Sequence, residues 1–471
     1  MNREENEKMR PNIILINCDD LGYGDLGCYG SKKNSTPCID GLARDGLQFN
    51  DFYMASSVCS PSRGAMLTGC YPPRIGFGSF HGNRVLRPGD ELGLEKHEFT
   101  IAQLLKKADY ATKIVGKWHC GDQPEFLPLN FGFDEYYGLP YSNDMCPTTE
   151  RPDRPPLPLI NDMEVIQEQP DQTSLTERYV EKSVDFIKRN KDNPFFLYFA
   201  HMHVHLPLYA APMFIGNSRN GDYGACVAAI DWSTSVLVDT LKTYGLYENT
   251  IILFTSDNGS RNDFGESNGS LRGTKGTTWE GGLRVPFIVH WKNHISSGIS
   301  DQLISSIDLL PSIAKIVGEE LPKERTIDGV DQSELILGRS KQSHRDTFFY
   351  YMCNTLEAVR YENWKLFVSR NRHSIEFNSA DPIDENREVN ELYNLKSDPG
   401  ETHNVFSEYP DVVKLLTQKI ELCRDDLGDV FTGQLNGNVR SAGFVSDAKP
   451  LTVYDENHPY IIAYYDKNEI G

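Results

Sequence analysis

Residues 12–20 read Asn-Ile-Ile-Leu-Ile-Asn-Cys-Asp-Asp, an apolar run that follows Pro11 and ends in two adjacent carboxylates. A short, continuous apolar run of this kind predicts a strand that is buried on both faces. Similar apolar runs recur along the chain, with amphipathic stretches between them: strands are expected at 112–116, 195–200, 251–255 and 285–290, and helices at 100–108, 175–189 and 225–244. Strands that alternate with helices predict an α/β fold whose mostly parallel sheet is covered by helices on both faces.

The last quarter of the chain has a different pattern. A polar stretch at about 337–345 precedes strand-like pieces at 347–352 and 364–369 and one helix around 410–424. We therefore predict a main α/β domain at 1–343 and a smaller C-terminal α+β domain at 344–471, with an antiparallel sheet and a helix.

Composition excludes several classes of function. The chain has 471 residues and a formal net charge of -20, which argues against nucleic acid or an anionic membrane as a partner. No apolar run reaches the length that a membrane helix needs. The polar N-terminus does not resemble a signal peptide, so we expect a cytoplasmic protein, and its ten scattered cysteines are expected to be free thiols.

Acidic and amide side chains follow two of the expected strands. Asp19 and Asp20 come directly after the first strand, and Asp257 and Asn258 follow the strand at 251–255. An Asp-Asp pair alone is more often a turn or a helix cap. Because ligands of open α/β sheets gather at the carboxyl ends of strands, the two pairs together favour a hard cation, Ca²⁺ or Mg²⁺, over zinc.

A cysteine stands at the start of an expected short helix. Residues 59–69 read Cys-Ser-Pro-Ser-Arg-Gly-Ala-Met-Leu-Thr-Gly, in which Pro61 suits the first turn and Gly69 suits the position after the last. Cys59 would then lie where free N–H groups favour an anion. A lone cysteine at this place would more often be a buried core residue.

Basic and histidine side chains follow three further strand regions. Lys117 and His119 come after the strand at 112–116, and Lys275 lies in a glycine-rich segment before the strand at 285–290. His201, His203 and His205 follow the strand at 195–200; their alternation would point His203 away from the other two, which argues against zinc. Taken singly, each could be a solvated charge or a structural histidine.

Together and in chain order, these segments resemble those of type I sulfatases, whose signature C-x-P-S-R opens a short helix that ends in T-G. The resemblance covers most of residues 11–300, and residues 391–401 resemble the family's C-terminal element. Other stretches are similar to the arylsulfatase A and N-acetylgalactosamine-6-sulfatase branches of the family. The resemblance implies an alkaline-phosphatase-like fold, with a mixed, mostly parallel sheet sandwiched by helices, and a catalytic domain at 1–343.

The resemblance also implies a role for each of these residues. A formylglycine-generating enzyme would oxidise Cys59 to formylglycine, whose hydrate is the nucleophile. The divalent cation, expected to be Ca²⁺ with Mg²⁺ as the alternative, would be held by Asp19, Asp20, Asp257, Asn258 and the modified residue 59. Arg63 and Lys117 would hold the hydrate, Lys275 and His205 would bind sulfate oxygens and protonate the leaving alcohol, and His119 would accept a proton.

The substrate is expected to be a sulfated saccharide or an aryl sulfate. An exo-acting sulfatase on a sulfated N-acetylhexosamine from glycosaminoglycans is the preferred hypothesis, with Ser142, His81 and Arg84 as candidate substrate contacts; the two basic residues could equally be solvated. The alternatives are a phosphonate monoester or phosphodiester hydrolase of the alkaline-phosphatase superfamily, an arylsulfatase of broad specificity, and a binding protein with a decayed site. The sequence leaves open whether the chain forms a homo-oligomer.

Overall fold

A ten-stranded sheet forms the middle layer of the protein. The structure is a computed structural model that describes residues 10–148, 151–374, 385–435, 437–455, 457–459 and 467. In chain order the strands of this sheet are β1 (Asn12–Cys18), β2 (Leu47–Phe49), β3 (Ala111–Gly116), β4 (Glu135–Gly138), β5 (Pro158–Asn161), β6 (Glu164–Glu168), β7 (Phe195–Ala200), β8 (Thr250–Ser256), β9 (Phe287–His290) and β10 (Gly298–Ser300). Their spatial order is β10-β2-β9-β8-β1-β7-β3-β4-β5-β6.

The first strand lies at the centre of this sheet. β1 pairs in parallel with β8 on one side and with β7 on the other, and β3 and β4 continue the parallel run. Antiparallel strands flank this centre, because β9 runs against β8 and β5 runs against β4. All seven residues of β1 are buried, as expected for a strand that is covered on both faces.

Helices cover both faces of the sheet. The helices longer than one turn are α1 (Pro37–Asp45), α2 (Cys59–Thr68), α3 (Ile101–Lys107), α4 (Leu175–Arg189), α5 (Gly221–Thr243), α6 (Leu309–Val317) and α7 (Pro410–Leu427); single turns form at Pro212–Ile215, Glu280–Leu283 and Ser333–Ile336. Apolar side chains of α2, α3 and α6 pack on one face with alternate β1 residues such as Leu15. Those of α1, α4 and α5 pack on the other face with Ile14 and Ile16.

A second, four-stranded antiparallel sheet follows. Its strands, in both chain and spatial order, are β11 (Thr347–Met352), β12 (Thr355–Tyr361), β13 (Trp364–Arg370) and β14 (Arg387–Asn394). This small sheet and α7 share one apolar cluster with Tyr53, Ala65 and Leu283 of the main domain. Further along, Gly443–Phe444 pairs with Leu92–Gly93, so the tail returns to the main domain. The boundary at 343/344 stays a prediction.

Most of the expected elements are confirmed. The strands at 195–200 and 347–352 and the helix at 175–189 have the expected bounds, and the others differ by up to four residues at either end. The fold class is confirmed as well, because the sheet is mixed with a parallel centre. All ten cysteines are free thiols, as expected. Among the described residues, no helix is both long and apolar enough to cross a membrane.

Candidate active site

Two acidic strand ends meet at the centre of the main sheet. β1 and β8 pair up to their last residues, Cys18 and Ser256, so the chain segments that follow them leave the sheet side by side. The backbone N of Asp20 is 3.2 Å from Oδ1 of Asp257, and Nδ2 of Asn258 donates to Oδ1 of Asp20 at 2.7 Å. The structure therefore brings together the four oxygen-bearing residues that the sequence singled out.

Helix α2 places Cys59 against this acidic cluster. The helix begins at Cys59 and ends before Gly69, whose φ of 69° is in the left-handed region that glycine adopts easily. Sγ of Cys59 lies 3.7 Å from Oδ1 of Asp19. One turn later, Nε and Nη2 of Arg63 both lie 2.8 Å from Oδ2 of Asp257. The start of the helix is thus fixed to both strand ends.

Two lysines complete the charge pairing. Nζ of Lys117 is 2.6 Å from Oδ2 of Asp19, and Nζ of Lys275 is 2.8 Å from Oδ2 of Asp20. Burial opposes the charge of both ammonium groups, but the neighbouring carboxylates outweigh it and raise the pKa of each lysine above its ordinary value. Both lysines are therefore charged at neutral pH, which places positive charge at the acidic cluster of a chain whose net charge is -20.

Local backbone geometry explains the position of Lys117. It follows Gly116, whose φ of 111° is accessible to glycine, and a side chain there would place Cβ 1.8 Å from the carbonyl oxygen of Ala200. This close approach lets the backbone N of Lys117 donate to the same oxygen at 2.8 Å. The end of β3 is thus held on the end of β7.

His119 has one ring nitrogen free to accept a proton. Its Nε2 lies 3.1 Å from the carbonyl oxygen of Leu86, which can only accept, so Nε2 carries the hydrogen and Nδ1 carries the lone pair. Nδ1 is buried and has no hydrogen-bond partner among the described residues. Burial, with a further effect of Lys117, lowers the pKa of His119 well below its ordinary value. The ring is therefore neutral and can act as a base.

The three histidines after β7 are not arranged as expected. His201 and His203 are not pointed apart, because their rings are 5.1 Å apart and the backbone N of His203 donates to Nδ1 of His201. The expected alternation was wrong since β7 ends at Ala200 and the histidines lie in a loop. Of the three, His205 faces the acidic cluster, with Nε2 3.8 Å from Oδ2 of Asp20. Burial lowers the pKa of His205 to about 4.

The donor set fits a hard cation. Ligand atoms of Asp19, Asp20, Cys59 and His205 all lie within 4.8 Å of one another. Oδ1 of Asn258 is buried and has no hydrogen-bond partner in the described part of the chain, although an unsatisfied amide oxygen is costly at such a place. A cation bound there would satisfy this oxygen and several carboxylate oxygens at once.

The unmodified thiol of Cys59 is unsuited to nucleophilic attack. Burial raises the pKa of Cys59 to about 12, even though Lys117 and Lys275 lower it. The thiolate is the reactive form, so a thiol with this pKa is almost entirely inactive at neutral pH. The position of Cys59 agrees with its expected role as a precursor rather than as the nucleophile itself.

The three candidate substrate contacts lie in different surroundings. His81 is on the surface, where its Nε2 lies 3.1 Å from Oε1 of Glu91. Arg84 is half-buried and donates to the carbonyl oxygen of His373 at 3.3 Å. Ser142 is buried in the loop after β4, the same loop whose residues 139 and 140 accept backbone hydrogen bonds from 118 and 119. Their roles stay predictions.

Two serines of the Cys59 segment also position the site, although the sequence alone gave them no role. Oγ of Ser62 donates to the backbone oxygen of Asp257 at 2.5 Å. Oγ of Ser60 accepts from the backbone N of Leu86 at 3.1 Å. Their place in the 59–69 segment was the available signal, but serines in a first helical turn are common for other reasons.

Family models and curated proteins that resemble this chain are sulfatases. A family model described as Sulfatase matches residues 11–319, and one described as N-sulphoglucosamine sulphohydrolase, C-terminal, matches residues 274–426. The chain is 39% identical over 445 residues to arylsulfatase A of Homo sapiens, covering 87% of this chain and 86% of that protein. It is 36% identical over 485 residues to N-acetylgalactosamine-6-sulfatase of Rattus norvegicus, covering 93% and 90%.

Solved structures give the same picture for the fold. One from work on the metabolism of multiple glycosaminoglycans by Bacteroides thetaiotaomicron has a TM-score of 0.77 and 30% identity, and covers 88% of this chain and 99% of that chain. A phosphonate monoester hydrolase of Agrobacterium radiobacter has a TM-score of 0.63 but 17% identity, covering 88% of this chain and 95% of that chain. At that identity the similarity concerns the fold alone.

Proposed function

This chain belongs to the sulfatase family, and we propose that it hydrolyses the sulfate ester of a sulfated N-acetylhexosamine from glycosaminoglycans, with formylglycine derived from Cys59 and with Ca²⁺. Its enzyme class is that of the sulfuric ester hydrolases. The observation that carries the proposal is the placement of Cys59 at a helix start, 3.7 Å from Asp19 and among buried cations.

The carboxylate and amide oxygens support Ca²⁺ as the resident ion. Asp19, Asp20, Asp257 and Asn258 offer four oxygen-bearing side chains, which suit Ca²⁺ and Mg²⁺. We favour Ca²⁺ because its irregular and larger coordination tolerates ligands from two strand ends, whereas Mg²⁺ needs near-ideal octahedral geometry. A bound divalent cation would supply charge that lowers the pKa of a hydroxyl and stabilises negative charge at sulfur.

Formylglycine at position 59 would supply, as its hydrate, one hydroxyl that attacks sulfur and a second whose deprotonation releases sulfate and restores the aldehyde. In the net reaction, water and the sulfate ester give the free sugar hydroxyl, sulfate and a proton. Arg63 and Lys117 hold cationic N–H groups beside residue 59, where they offset the charge of the nucleophile. Lys275 offers a further ammonium group for the sulfate oxygens.

The two histidines divide the proton transfers between them. His119 keeps the hydrogen on Nε2 and an unpartnered lone pair on Nδ1, so it accepts the proton of the second hydroxyl. His205 donates Nδ1–H to the carbonyl oxygen of Leu206 at 2.6 Å, which leaves Nε2 directed at the acidic cluster. A proton taken up at Nε2 with the anionic substrate is then passed to the leaving alcohol oxygen.

A sulfated N-acetylhexosamine as the substrate is supported by one of the relatives, N-acetylgalactosamine-6-sulfatase of Rattus norvegicus, which matches over 93% of this chain. The maturation partner that we propose is a formylglycine-generating enzyme, which would oxidise Cys59 to formylglycine.

The test combines mass spectrometry with rate measurements. After coexpression with a formylglycine-generating enzyme, we expect the peptide with residue 59 to have oxygen in place of sulfur and two hydrogens fewer, as the aldehyde of formylglycine requires. Cys59→Ala is expected to abolish turnover of 4-nitrophenyl sulfate and of sulfated N-acetylhexosamines. Cys226→Ala is the matched control, because Cys226 is equally buried but lies on α5. It should keep the wild-type rate.

Three outcomes would contradict the proposal. Full activity of Cys59→Ala would exclude residue 59 as the nucleophile. A higher rate on an aryl phosphonate than on an aryl sulfate would favour the phosphonate hydrolase. An unmodified Cys59 in protein from the native host, with no turnover of any ester, would favour a binding protein with a decayed site.

A further inference from the structure

A polar cavity of about 320 Å³ lies between the 79–86 loop and the small sheet. It is lined by Ser79 of that loop, by the turn between β11 and β12 and by residues 371–373 and 385–386; the lining residues that matter here are Ser79, Asn354, Arg372, His373, Glu385 and Asn386. Its volume is in the range of small-ligand sites. None of these residues belongs to the acidic cluster around Cys59.

The 79–86 loop connects this cavity to the active site. The backbone N of Leu86 donates to Oγ of Ser60, next to Cys59, and the backbone O of Leu86 contacts Nε2 of His119. Two residues earlier, Nη1 of Arg84 donates to the carbonyl oxygen of His373, which lines the cavity. One short segment therefore has the catalytic groups at one end and the cavity wall at the other.

Two arginines lie in and beside this cavity: Arg372 lines it, together with the carboxylate of Glu385, and Arg84 borders it through the carbonyl oxygen of His373. Within the described ranges the guanidinium of Arg84 has the carbonyl oxygen of His373 as its hydrogen-bond partner and forms no ion pair with a carboxylate. Burial lowers the pKa of Arg84 from its ordinary value, as expected for a guanidinium that loses water contacts. Arg372 and His373 line the cavity itself.

The other polar groups of the cavity suit sugar hydroxyls. Asn354, Asn386 and the carboxylate of Glu385 offer amide and carboxylate groups that accept or donate hydrogen bonds. Asn354 is seated on Gly78, where a Cβ would lie 1.7 Å from its Oδ1. The absence of a side chain at position 78 therefore allows Asn354 to occupy this position.

We propose that this cavity is a subsite for a second saccharide unit carrying an anionic group, a carboxylate or a second sulfate, which Arg84 and Arg372 bind. The proposal rests on the proposed sulfatase function, since it assigns the sugar that follows the sulfated N-acetylhexosamine. A guanidinium pairs with planar carboxylates and with sulfate through two parallel N–H groups. A neutral second sugar would leave Arg84 without a counter-charge.

The experiment compares disaccharides that share the same sulfated N-acetylhexosamine and differ in the second unit, which is glucuronic acid, a sulfated hexose or glucose. 4-Nitrophenyl sulfate is the substrate that does not reach the cavity. For Arg84→Gln and Arg372→Gln, KM for the anionic disaccharides should rise about 10- to 100-fold, because each loses a hydrogen bond to a charged group. Since this contact is equal in ground and transition states, kcat should not change.

The controls separate charge, shape and folding. Arg84→Lys should recover part of the affinity, and Gly78→Ala should weaken all disaccharides by displacing Asn354. Arg44→Gln removes the same charge from an exposed residue of α1, and its KM values should stay within about twofold of wild type. An equal loss for the glucose disaccharide, or no loss for either anionic one, would overturn the subsite.

Binding measured without turnover distinguishes failure of the subsite from failure of the proposed function. In a Cys59→Ser background, calorimetry should give a lower Kd for the glucuronic acid disaccharide than for the glucose disaccharide, and Arg84→Gln should abolish the difference. If the Cys59→Ser protein shows this preference but the wild-type protein hydrolyses none of the disaccharides, the sulfatase function is contradicted and the subsite is not. Hydrolysis of all three disaccharides with equal KM would contradict the subsite alone.

Discussion

The ion pair between Lys275 and Asp20 allows a sharp test of how charge is balanced in the site. Nζ of Lys275 lies 2.8 Å from Oδ2 of Asp20, and the two side chains are 8% and 5% exposed. Lys275→Met keeps most of the side-chain length but removes the ammonium group. The carboxylate of Asp20 then keeps the amide of Asn258 and the ring of His205 as its neighbours.

The expected cost follows from burial and distance. At 2.8 Å two unit charges attract by about 6 kcal/mol at an effective dielectric constant of about 20, and by about 1.5 kcal/mol in water. Breaking a buried pair by removing one partner typically costs about 3–5 kcal/mol, because the remaining charge is uncompensated. We therefore expect the free energy of unfolding of Lys275→Met to fall by about 3–5 kcal/mol in EDTA.

A divalent cation should reduce this loss. An ion that binds the folded state beside Asp20 provides a counter-charge in place of Lys275, and its binding adds to the stability of the folded state. In CaCl₂ the difference between Lys275→Met and wild type should therefore shrink. The kcat of Lys275→Met should stay low in CaCl₂ even though its stability rises, because removal of one donor aimed at developing charge costs about 10²- to 10³-fold in kcat.

Urea denaturation in EDTA and in CaCl₂ measures both stabilities, with Lys106→Met as the matched control. Nζ of Lys106 is also 2.8 Å from a carboxylate oxygen, Oδ1 of Asp134, but these side chains are 53% and 40% exposed. The control should lose at most about 1 kcal/mol. Equal losses for the two variants, or a loss in Lys275→Met that CaCl₂ leaves unchanged, would refute the reasoning.

Three further predictions concern parts of the fold that position the site. The carboxylate of Asp231 accepts hydrogen bonds from two backbone N–H groups at the start of α1, yet burial raises its pKa from 3.8 to about 6. Its contribution to the free energy of unfolding is therefore complete below about pH 4 and is lost as the pH rises through 6. In urea denaturation, the free energy of unfolding of Asp231→Asn should therefore exceed that of wild type by up to about 3 kcal/mol at pH 8 and equal it at pH 4. Thr100→Ala should lose about 1 kcal/mol of unfolding free energy with unchanged kcat, because it removes the capping box of α3; a change in kcat would contradict this. Gly116→Ala should lose about 3 kcal/mol or more and most of its activity, since its Cβ would collide with the carbonyl oxygen of Ala200; wild-type stability would show that β3 and β7 can separate freely.

The sequence was most informative where structure depends on neighbours in the chain. The apolar run at 12–18 needs burial on both faces wherever it lies, so its strand could be predicted from seven residues. The same holds for α4, whose apolar positions recur with helical spacing. Parallel strands bring their carboxyl ends to one edge, which is why two acidic pairs 237 residues apart could be expected to meet.

Contacts between segments that no predicted strand pairing relates could not be predicted from the sequence. The loop after β7 departs from strand geometry directly after Ala200, so the expected alternation of the histidines failed. The pairing of Gly443–Phe444 with Leu92–Gly93 joins segments whose patterns carry no sign of each other. Likewise the sequence left Arg84 as either a substrate contact or a solvated charge, and its hydrogen bond to the carbonyl oxygen of His373 could not be predicted.

Charge balance explains how an acidic chain can bind an anionic ester. At the meeting point of the strand ends, the carboxylates of Asp19, Asp20 and Asp257 are matched by three permanently cationic side chains; these are Arg63, Lys117 and Lys275. These six charges cancel, so a divalent cation bound among them would leave the site with a net positive charge of two. Because the groups are buried, this charge is weakly screened and attracts a sulfate ester despite the net charge of -20. Because the rest of the chain is acidic, we expect anions to be attracted at this cluster and repelled elsewhere on the surface.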